Sequence, residues 1–176
     1  AYRAELWLND APLHGPGIAI ELRARGATRG GARLSGFFVA PSEVRRELAG
    51  ASFVGGAIAL DALLDVSISR DVSLSAALGV AIELSHAVPL AGNDVTLALE
   101  APFGTTTTLG RALLGVLVHP DPALSVRVDL TFAIDLGDTR FSVQSPGGPR
   151  EAFDPWLLRP GLQLVVLFEA LGGSGR

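Results

Sequence analysis

The amino-acid sequence predicts an all-β protein in which antiparallel strands run up and down and close into a barrel. Two observations lead to this prediction: long stretches alternate apolar residues with small or charged ones, and connections rich in Gly, Pro, Asn and Asp separate these stretches. Successive side chains of an extended chain point to opposite faces, so such alternation gives strands with one apolar and one polar face. Residues 1–171 are expected to form one domain, followed by a flexible tail at 172–176.

The alternation is clearest in three stretches, Ser52–Ser69, Asp71–Ser85 and Leu124–Leu136. In the second, Val72 to Leu84 supply apolar residues at every even position, while the odd positions hold Ser, Ala, Gly and Glu83. A helix would scatter both sets around its circumference. All three stretches are much longer than the usual strand of about five or six residues in globular sheets.

Seven further stretches alternate more weakly, which brings the prediction to about ten strands. They are Tyr2–Leu8, Gly17–Gly26, Gly31–Ala40, Asp94–Ala101, Thr105–His119, Thr139–Gln144 and Pro160–Glu169. The connections between strands are expected to alternate in length, with both termini at the rim of short turns. The predicted long loops are Asn9–Pro16, Pro41–Gly50, Ala87–Asn93, Pro120–Ala123 and Ser145–Arg159.

Hydropathy favours strands that cross a membrane. The mean hydropathy is +0.40, yet the sequence holds no run of about eighteen apolar residues that would form a transmembrane helix. About ten tilted β-residues span the hydrocarbon core of a bilayer, so the long strands suffice. The chain begins at Ala1 rather than Met, as expected after removal of a leader peptide.

With these strands and loops the chain resembles the small outer-membrane β-barrel proteins of Gram-negative bacteria. Its last strand, Arg159–Phe168, is similar to the C-terminal assembly signal of that family, although the chain continues beyond Phe168. The resemblance implies an outer-membrane location, contact with membrane lipid, and a structural, anchoring or narrow-channel role. The sequence departs from the family in having few aromatic residues near predicted strand ends, namely Trp7, Phe38, Phe153 and Trp156.

If the apolar parity faces lipid, the opposite parity fills the lumen with nearly balanced charges. Such charges are tolerated inside a barrel when they pair, so we expect a narrow interior filled by ion pairs and water. The candidate lumen charge network is Glu21, Arg23, Asp61, Asp65, Glu83, Arg111, Arg127, Asp129 and Asp135, and the same parity adds Arg3, Glu5, Arg25, Arg33, Glu100 and Arg140. A wide diffusion pore is not expected, because such pores use about sixteen strands.

The alternative is a soluble β-sandwich or lipocalin-like barrel, periplasmic or secreted, that binds an apolar ligand or self-assembles. In that protein the charged face would meet water and the apolar face would pack internally. The long strands favour the membrane barrel, because strands of a sandwich normally bend or break within such lengths.

Composition and motifs exclude several functions. The net charge is −4, so nucleic acid is not an expected partner. The sequence holds no cysteine and no catalytic constellation, and no cofactor or metal site is predicted. The three histidines, His14, His86 and His119, are predicted near the long-loop rim, and their spacing is not that of a metal-binding motif.

Two loops are the expected contacts with a protein partner or ligand. They are Pro41–Leu48, which could form a short helical turn capped by Ser42, and Ser145–Arg159. The oligomeric state stays open.

Overall fold

The computed structural model describes residues 1–8, 11–24, 28–45, 50–90, 103–121, 123–137, 141–145, 148–153 and 157–168. Ten β-strands lie in these ranges. They are β1 (Tyr2–Leu8), β2 (Ala11–Arg23), β3 (Thr28–Arg45), β4 (Gly50–Ser67), β5 (Val72–Leu90), β6 (Phe103–Asp121), β7 (Leu124–Asp135), β8 (Phe141–Ser145), β9 (Gly148–Phe153) and β10 (Leu158–Phe168).

Eight of the strands form a closed barrel in the order β1-β10-β7-β6-β5-β4-β3-β2, and every neighbouring pair is antiparallel. The other two, β8 and β9, form a separate two-stranded sheet in the connection from β7 to β10. The predicted strand at Thr139–Gln144 therefore falls mainly on β8 and is not part of the barrel wall. The predicted strand at Asp94–Ala101 lies outside the described residues, and β5 pairs directly with β6.

Several strands extend into segments that the sequence predicted as loops. Strand β2 begins at Ala11 inside the predicted loop 9–16, β3 runs to Arg45, and β5 runs to Leu90. The short helical turn capped by Ser42 was therefore a wrong prediction, because residues 41–45 are β-strand. Prolines suggested breaks here, but a strand can pass a proline at a bulge. The β3–β4 register shifts between Val39 and Ser42, beside Pro41.

The two rims of the barrel differ in the lengths of their connections. The terminus rim carries the start of β1, the end of β10 and the short connections 24–27, 68–71 and 122–123. The loop rim carries 9–10, 46–49, 91–102 and 136–157. The start of β1 and the end of β10 thus lie at the rim of short turns, where the sequence predicted both termini. Pro120–Ala123, predicted at the opposite rim, lies at the terminus rim because β6 directly follows β5 in the wall.

Side chains alternate between the two faces of the barrel wall. The burial pattern of β7 switches at nearly every residue, and most of β4 and β5 does the same. The buried positions are almost all odd-numbered and hold small, charged and some large apolar residues, whereas the exposed positions are mainly Leu, Ile, Val and Phe. No helix in the described ranges is long and apolar enough to cross a membrane.

Inward-facing glycines let the small barrel curve around its charges. A Cβ added at Gly79 would lie 2.3 Å from Asp61 Oδ1 and 2.3 Å from the carbonyl oxygen of Leu60. A Cβ at Gly115 would lie 2.2 Å from Asp129 Oδ1. Each glycine is directly opposite that aspartate in the sheet register, so the missing side chain makes room for a carboxylate.

We therefore expect Gly79→Ala to destabilise the barrel by about 1–3 kcal/mol, because the added methyl group overpacks the lumen against backbone that cannot move aside. Urea unfolding of the protein in detergent micelles measures the loss. The matched control is Gly110→Ala, whose added Cβ would meet nothing closer than 3.6 Å, at the Leu136 side chain. Equal stability of both variants would contradict this account of Gly79.

Candidate functional site

The barrel interior is the strongest candidate for a functional site, and the nine residues of the candidate lumen charge network all lie there. Asp61, Asp65, Glu83, Arg127 and Asp129 are each at most 2% exposed. Arg111 and Asp135 are also buried, and the side chains of Glu21 and Arg23 are 5% and 17% exposed. Three further arginines join these nine predicted residues in ion pairs, namely Arg3, Arg33 and Arg159. Arg25, Glu100 and Arg140 lie outside the described residues, and the Glu5 side chain is not described.

The larger group of ion pairs lies toward the terminus rim and centres on Arg33. Its Nε and Nη2 donate to Asp61 Oδ2 at 2.9 and 2.8 Å, while Nη1 lies 3.5 Å from Asp129 Oδ2 and 3.8 Å from Glu21 Oε1. One guanidinium thus bridges three strands, β2, β4 and β7. Charge-assisted pairs of this kind are stronger than neutral hydrogen bonds.

The remaining members surround this centre. Arg127 donates to Glu21 Oε1 at 2.6 Å and to Asp129 Oδ2 at 2.9 Å. Arg23 contacts Glu21, and its Nη1 is 3.1 Å from Asp65 Oδ2. Arg111 Nη1 is 3.7 Å from Asp61 Oδ2. The eight-residue cluster is Glu21, Arg23, Arg33, Asp61, Asp65, Arg111, Arg127 and Asp129; its four arginines and four acids balance.

A four-residue cluster lies toward the loop rim and is also balanced. Arg159 Nη1 donates to Glu83 Oε1 at 3.3 Å, and its Nη2 donates to Asp135 Oδ2 at 3.4 Å. Arg3 Nη2 is 3.5 Å from Glu83 Oε2. Two arginines and two carboxylates therefore connect β1, β5, β7 and β10 across the lumen.

An aromatic ring and an amide lie between the two clusters. The guanidinium carbons of Arg3 and Arg111 lie 5.0 and 6.0 Å from the centroid of the Phe37 ring, within reach of cation–π attraction. Arg111 Nη2 also donates to Gln163 Oε1 at 3.3 Å. Because Arg3 belongs to the four-residue cluster and Arg111 to the eight-residue cluster, Phe37 links the two.

Apolar side chains fill the space that the ion pairs leave. Ala59, Ala81, Leu109 and Ala133 pack together, each at most 1% exposed. Leu63, Ala77 and Leu113 form a second buried group. An eight-stranded barrel has an interior only wide enough for side chains to fill. The described interior is thus closely packed, without a single-sign ring of charge that would select ions.

Arg159 is a lumen residue that the predicted charge network omits. The sequence placed it at the end of the loop Ser145–Arg159 and at the start of the last strand, and in the structure it belongs to β10 and is 1% exposed. The alternation of β10 contains the correct signal, because Arg159, Gln163 and Val165 share the inward parity while Leu158, Leu162 and Leu164 are exposed. The alternating stretch of the predicted last strand began at Pro160, one residue after Arg159, so this parity was not extended to Arg159.

Large apolar side chains are exposed on the outer face of the barrel wall, including that of β2, β4, β5, β7 and β10. Ile18, Leu60, Leu78, Leu130 and Leu162 are between 52% and 80% exposed, and each lies on a different strand. Monomeric soluble proteins rarely expose contiguous apolar patches beyond a few hundred Å². We call this surface the apolar belt. Hydrocarbon, not water, is the solvent that such a surface requires.

Among the side chains that the structure describes, few aromatic ones lie at the edges of the apolar belt. Tyr2 and Phe168 are exposed near the terminus rim, and Phe38 is exposed on β3. Among the other aromatic residues that the sequence suggested for an interface, Trp156 is outside the described residues, and the side chains of Trp7 and Phe153 are not described. The tail 172–176 is likewise outside them.

The histidines do not gather as a site. His14 Nδ1 hydrogen-bonds the Tyr2 hydroxyl at 2.8 Å, and His86 is exposed on β5 toward the loop rim. His119 lies near the terminus rim, contrary to prediction, and its Nδ1 hydrogen-bonds Ser125 Oγ at 2.8 Å. Within the part of the chain that the structure describes, no group of three or more His, Asp or Glu could hold a metal ion.

Comparisons with known proteins locate the chain at the level of fold. No protein-family model matches the chain, and no curated protein matches its sequence. Among solved structures, the crystal structure of Ail, the attachment invasion locus protein of Yersinia pestis, is similar with a TM-score of 0.53 and 12% sequence identity. The similarity covers 95% of this chain and 92% of Ail. The fold of this protein is therefore the closed antiparallel β-barrel that it shares with Ail.

Proposed function

We propose that this protein is an integral β-barrel of the bacterial outer membrane that anchors the loop rim outside the cell, with a lumen sealed by its own side chains. The observation that carries the proposal is the inverted distribution of polarity, with buried ion pairs inside and an exposed apolar belt outside. The lipocalin-like alternative would need an apolar interior, and a soluble sandwich would need a polar exterior.

Anchoring is the role that the balanced clusters favour over conduction. A channel needs a continuous polar path, whereas here Leu109, Leu113 and Phe37 occupy the lumen between and beside the ion pairs. Charged side chains held by partners on several strands also make the wall rigid. Ail is an attachment invasion locus protein, which agrees with an attachment role for residues at the loop rim of this chain.

A planar-bilayer measurement tests the sealed lumen. We expect the purified protein, inserted from detergent, to show no steady ion conductance, because no continuous aqueous path crosses the two clusters. Insertion is checked independently by protection of the barrel from protease in vesicles. Steady single-channel steps from inserted wild-type protein would contradict a sealed lumen and favour the narrow-channel role.

A membrane-partition measurement tests the location. We expect the protein to sediment with the outer-membrane fraction and to need detergent for extraction. We also expect unheated samples to migrate differently from heated ones on gels, since a closed barrel resists unfolding by detergent at room temperature. A protein that is monodisperse in buffer without detergent would rule out the proposal.

A further inference from the structure

A groove interrupts the apolar belt on the wall formed by β2, β3, β4 and β5. It has a volume of about 840 Å³, and all its lining residues are glycine, alanine, proline or larger apolar residues. Its floor includes the outward positions Gly36 and Gly56, and Phe38 and Ile58 rise beside them. Ligand pockets of drug-sized molecules occupy a similar range, about 300–1,000 Å³.

Gly36, on the floor of this groove, differs in one respect from the inward-facing glycines of the wall. Inward glycines such as Gly79 and Gly115 are required by the barrel itself, because an added Cβ would clash with atoms closer than 3 Å. At Gly36 an added Cβ would meet nothing within 4 Å. The fold therefore does not require glycine at position 36. Glycine is present there even though it destabilises the interior of a strand. Glycine in a strand interior often marks a close approach by a ligand or another backbone.

The sheet register gives the groove a direction. Gly36 is directly opposite Ile58 and Gly56 is directly opposite Phe38, so the two glycines lie on one diagonal of this block and the two large side chains on the other. The diagonal of glycines continues to His86 on β5, which is opposite Val54 and exposed. The diagonal thus points from the middle of the apolar belt toward a polar side chain that lies nearer the loop rim, beyond the lining of the groove.

We propose that this groove binds one acyl chain of a membrane lipid, with the lipid headgroup on the side of His86. The inference rests on the proposed membrane location and adds a specific lipid site to it. The groove is continuous with the apolar belt, so hydrocarbon chains surround it. A void in hydrocarbon forfeits dispersion contacts on one side, and a thin flexible chain can restore them.

A lipid chain fits this surface better than a second copy of the protein. The outer face of another barrel is convex and carries large side chains on all sides, so it would rest on the ridges of Phe38 and Ile58 instead of filling the floor. No side chain that lines the groove can donate or accept a hydrogen bond, and such bonds are one of the forces that join proteins in a membrane.

Photo-crosslinking tests the site in vesicles that contain phosphatidylcholine with a diazirine in the middle of one acyl chain. Crosslinked positions are mapped by mass spectrometry in wild type, in Gly36→Leu, which fills the floor, and in Ala62→Leu. Ala62 faces outward on β4 and does not line the groove, so its variant is a matched control. Because space is free at Gly36, the filled variant is expected to fold, which the heat-dependent gel shift verifies.

We expect Ile18, Ile58 and Ile82 to be labelled several-fold more than Leu130 and Leu164 on the other side of the barrel. Gly36→Leu should abolish this excess, and Ala62→Leu should keep it. Uniform labelling of the whole apolar belt would overturn the lipid site and leave the membrane location intact. Absence of labelling at every outward position would overturn the membrane location as well. A detergent-solubilised dimer that Gly36→Leu converts into a monomer would assign the groove to a second copy and reject the lipid.

Discussion

Arg33→Met is expected to lower the free energy of unfolding by about 3–5 kcal/mol, because it leaves buried carboxylates without their shared cation. Arg33 is 1% exposed and contacts Asp61, Asp129 and Glu21. Methionine retains much of the volume, so the loss reports charge and hydrogen bonding more than a cavity. Urea unfolding in detergent micelles, followed by the gel shift of the folded barrel, measures it.

Two further variants separate the ion pair from a general effect of removing arginine. Arg70→Met removes an exposed arginine in the turn 68–71 and should leave stability within about 0.5 kcal/mol of wild type. The double variant Arg33→Met with Asp61→Leu restores equal numbers of arginines and acids in the eight-residue cluster, so it should regain a large part of the loss. If Arg33→Met were as stable as Arg70→Met, the cluster would not hold the barrel together.

Leu78→Arg is expected to cost about 2–4 kcal/mol in a membrane, the cost of placing arginine at the lipid-facing midplane of a barrel. Leu78 is 70% exposed and lies centrally among the outward residues of β5, between Leu74 and Ile82. Stability of the protein folded into phosphatidylcholine vesicles, measured by urea titration, gives the magnitude.

The sign of the change in stability caused by Leu78→Arg distinguishes a lipid environment of the apolar belt from an aqueous one. Thr106→Arg is the matched control, because Thr106 is also outward and exposed but lies on β6 nearer the loop rim, where we expect little cost. In a soluble protein, Leu78 would meet water and arginine there would be neutral or favourable. A Leu78→Arg variant as stable in vesicles as Thr106→Arg would therefore contradict the lipid-facing assignment of the apolar belt.

Period-two alternation made the wall of the barrel predictable from the sequence. In β4, β5 and β7 the parity alone assigns inward and outward residues, because each side chain has only two faces available to it. The same parity assigns Asp61, Asp129 and Arg127 to the lumen without any knowledge of their ion-pair partners. Which arginine pairs with which acid was not predictable, because partners such as Arg33 and Asp129 are 96 positions apart.

Strand ends were the least predictable part, for reasons of local chemistry. Proline suggests a loop in most contexts, but Pro12, Pro41 and Pro160 lie inside strands of this barrel. The alternating stretch of the last strand was predicted to begin at Pro160, two residues after β10 begins in the structure, and this left Arg159 out of the predicted lumen. The residues at 139–144 alternate in sequence like a wall strand, yet those of them that the structure describes, 141–144, pair with β9 instead. Alternation indicates an extended chain with one buried face, but it does not indicate which sheet that strand joins.

The four-residue cluster has a consequence for the order in which the barrel assembles. Two pairs of neighbouring wall strands, β7 with β10 and β1 with β10, are not consecutive in the chain. All other neighbours are consecutive in the chain and can form as local hairpins. The first and last strands share only four paired positions, from Tyr2↔Leu164 to Glu5↔Gly161, and must meet across nearly the whole sequence. Arg3 and Arg159 stand on either side of that seam, and both reach Glu83 on β5, the strand opposite β1. We expect this seam to form last. Glu83 thus links the two strands that close the barrel through ion pairs inside the lumen.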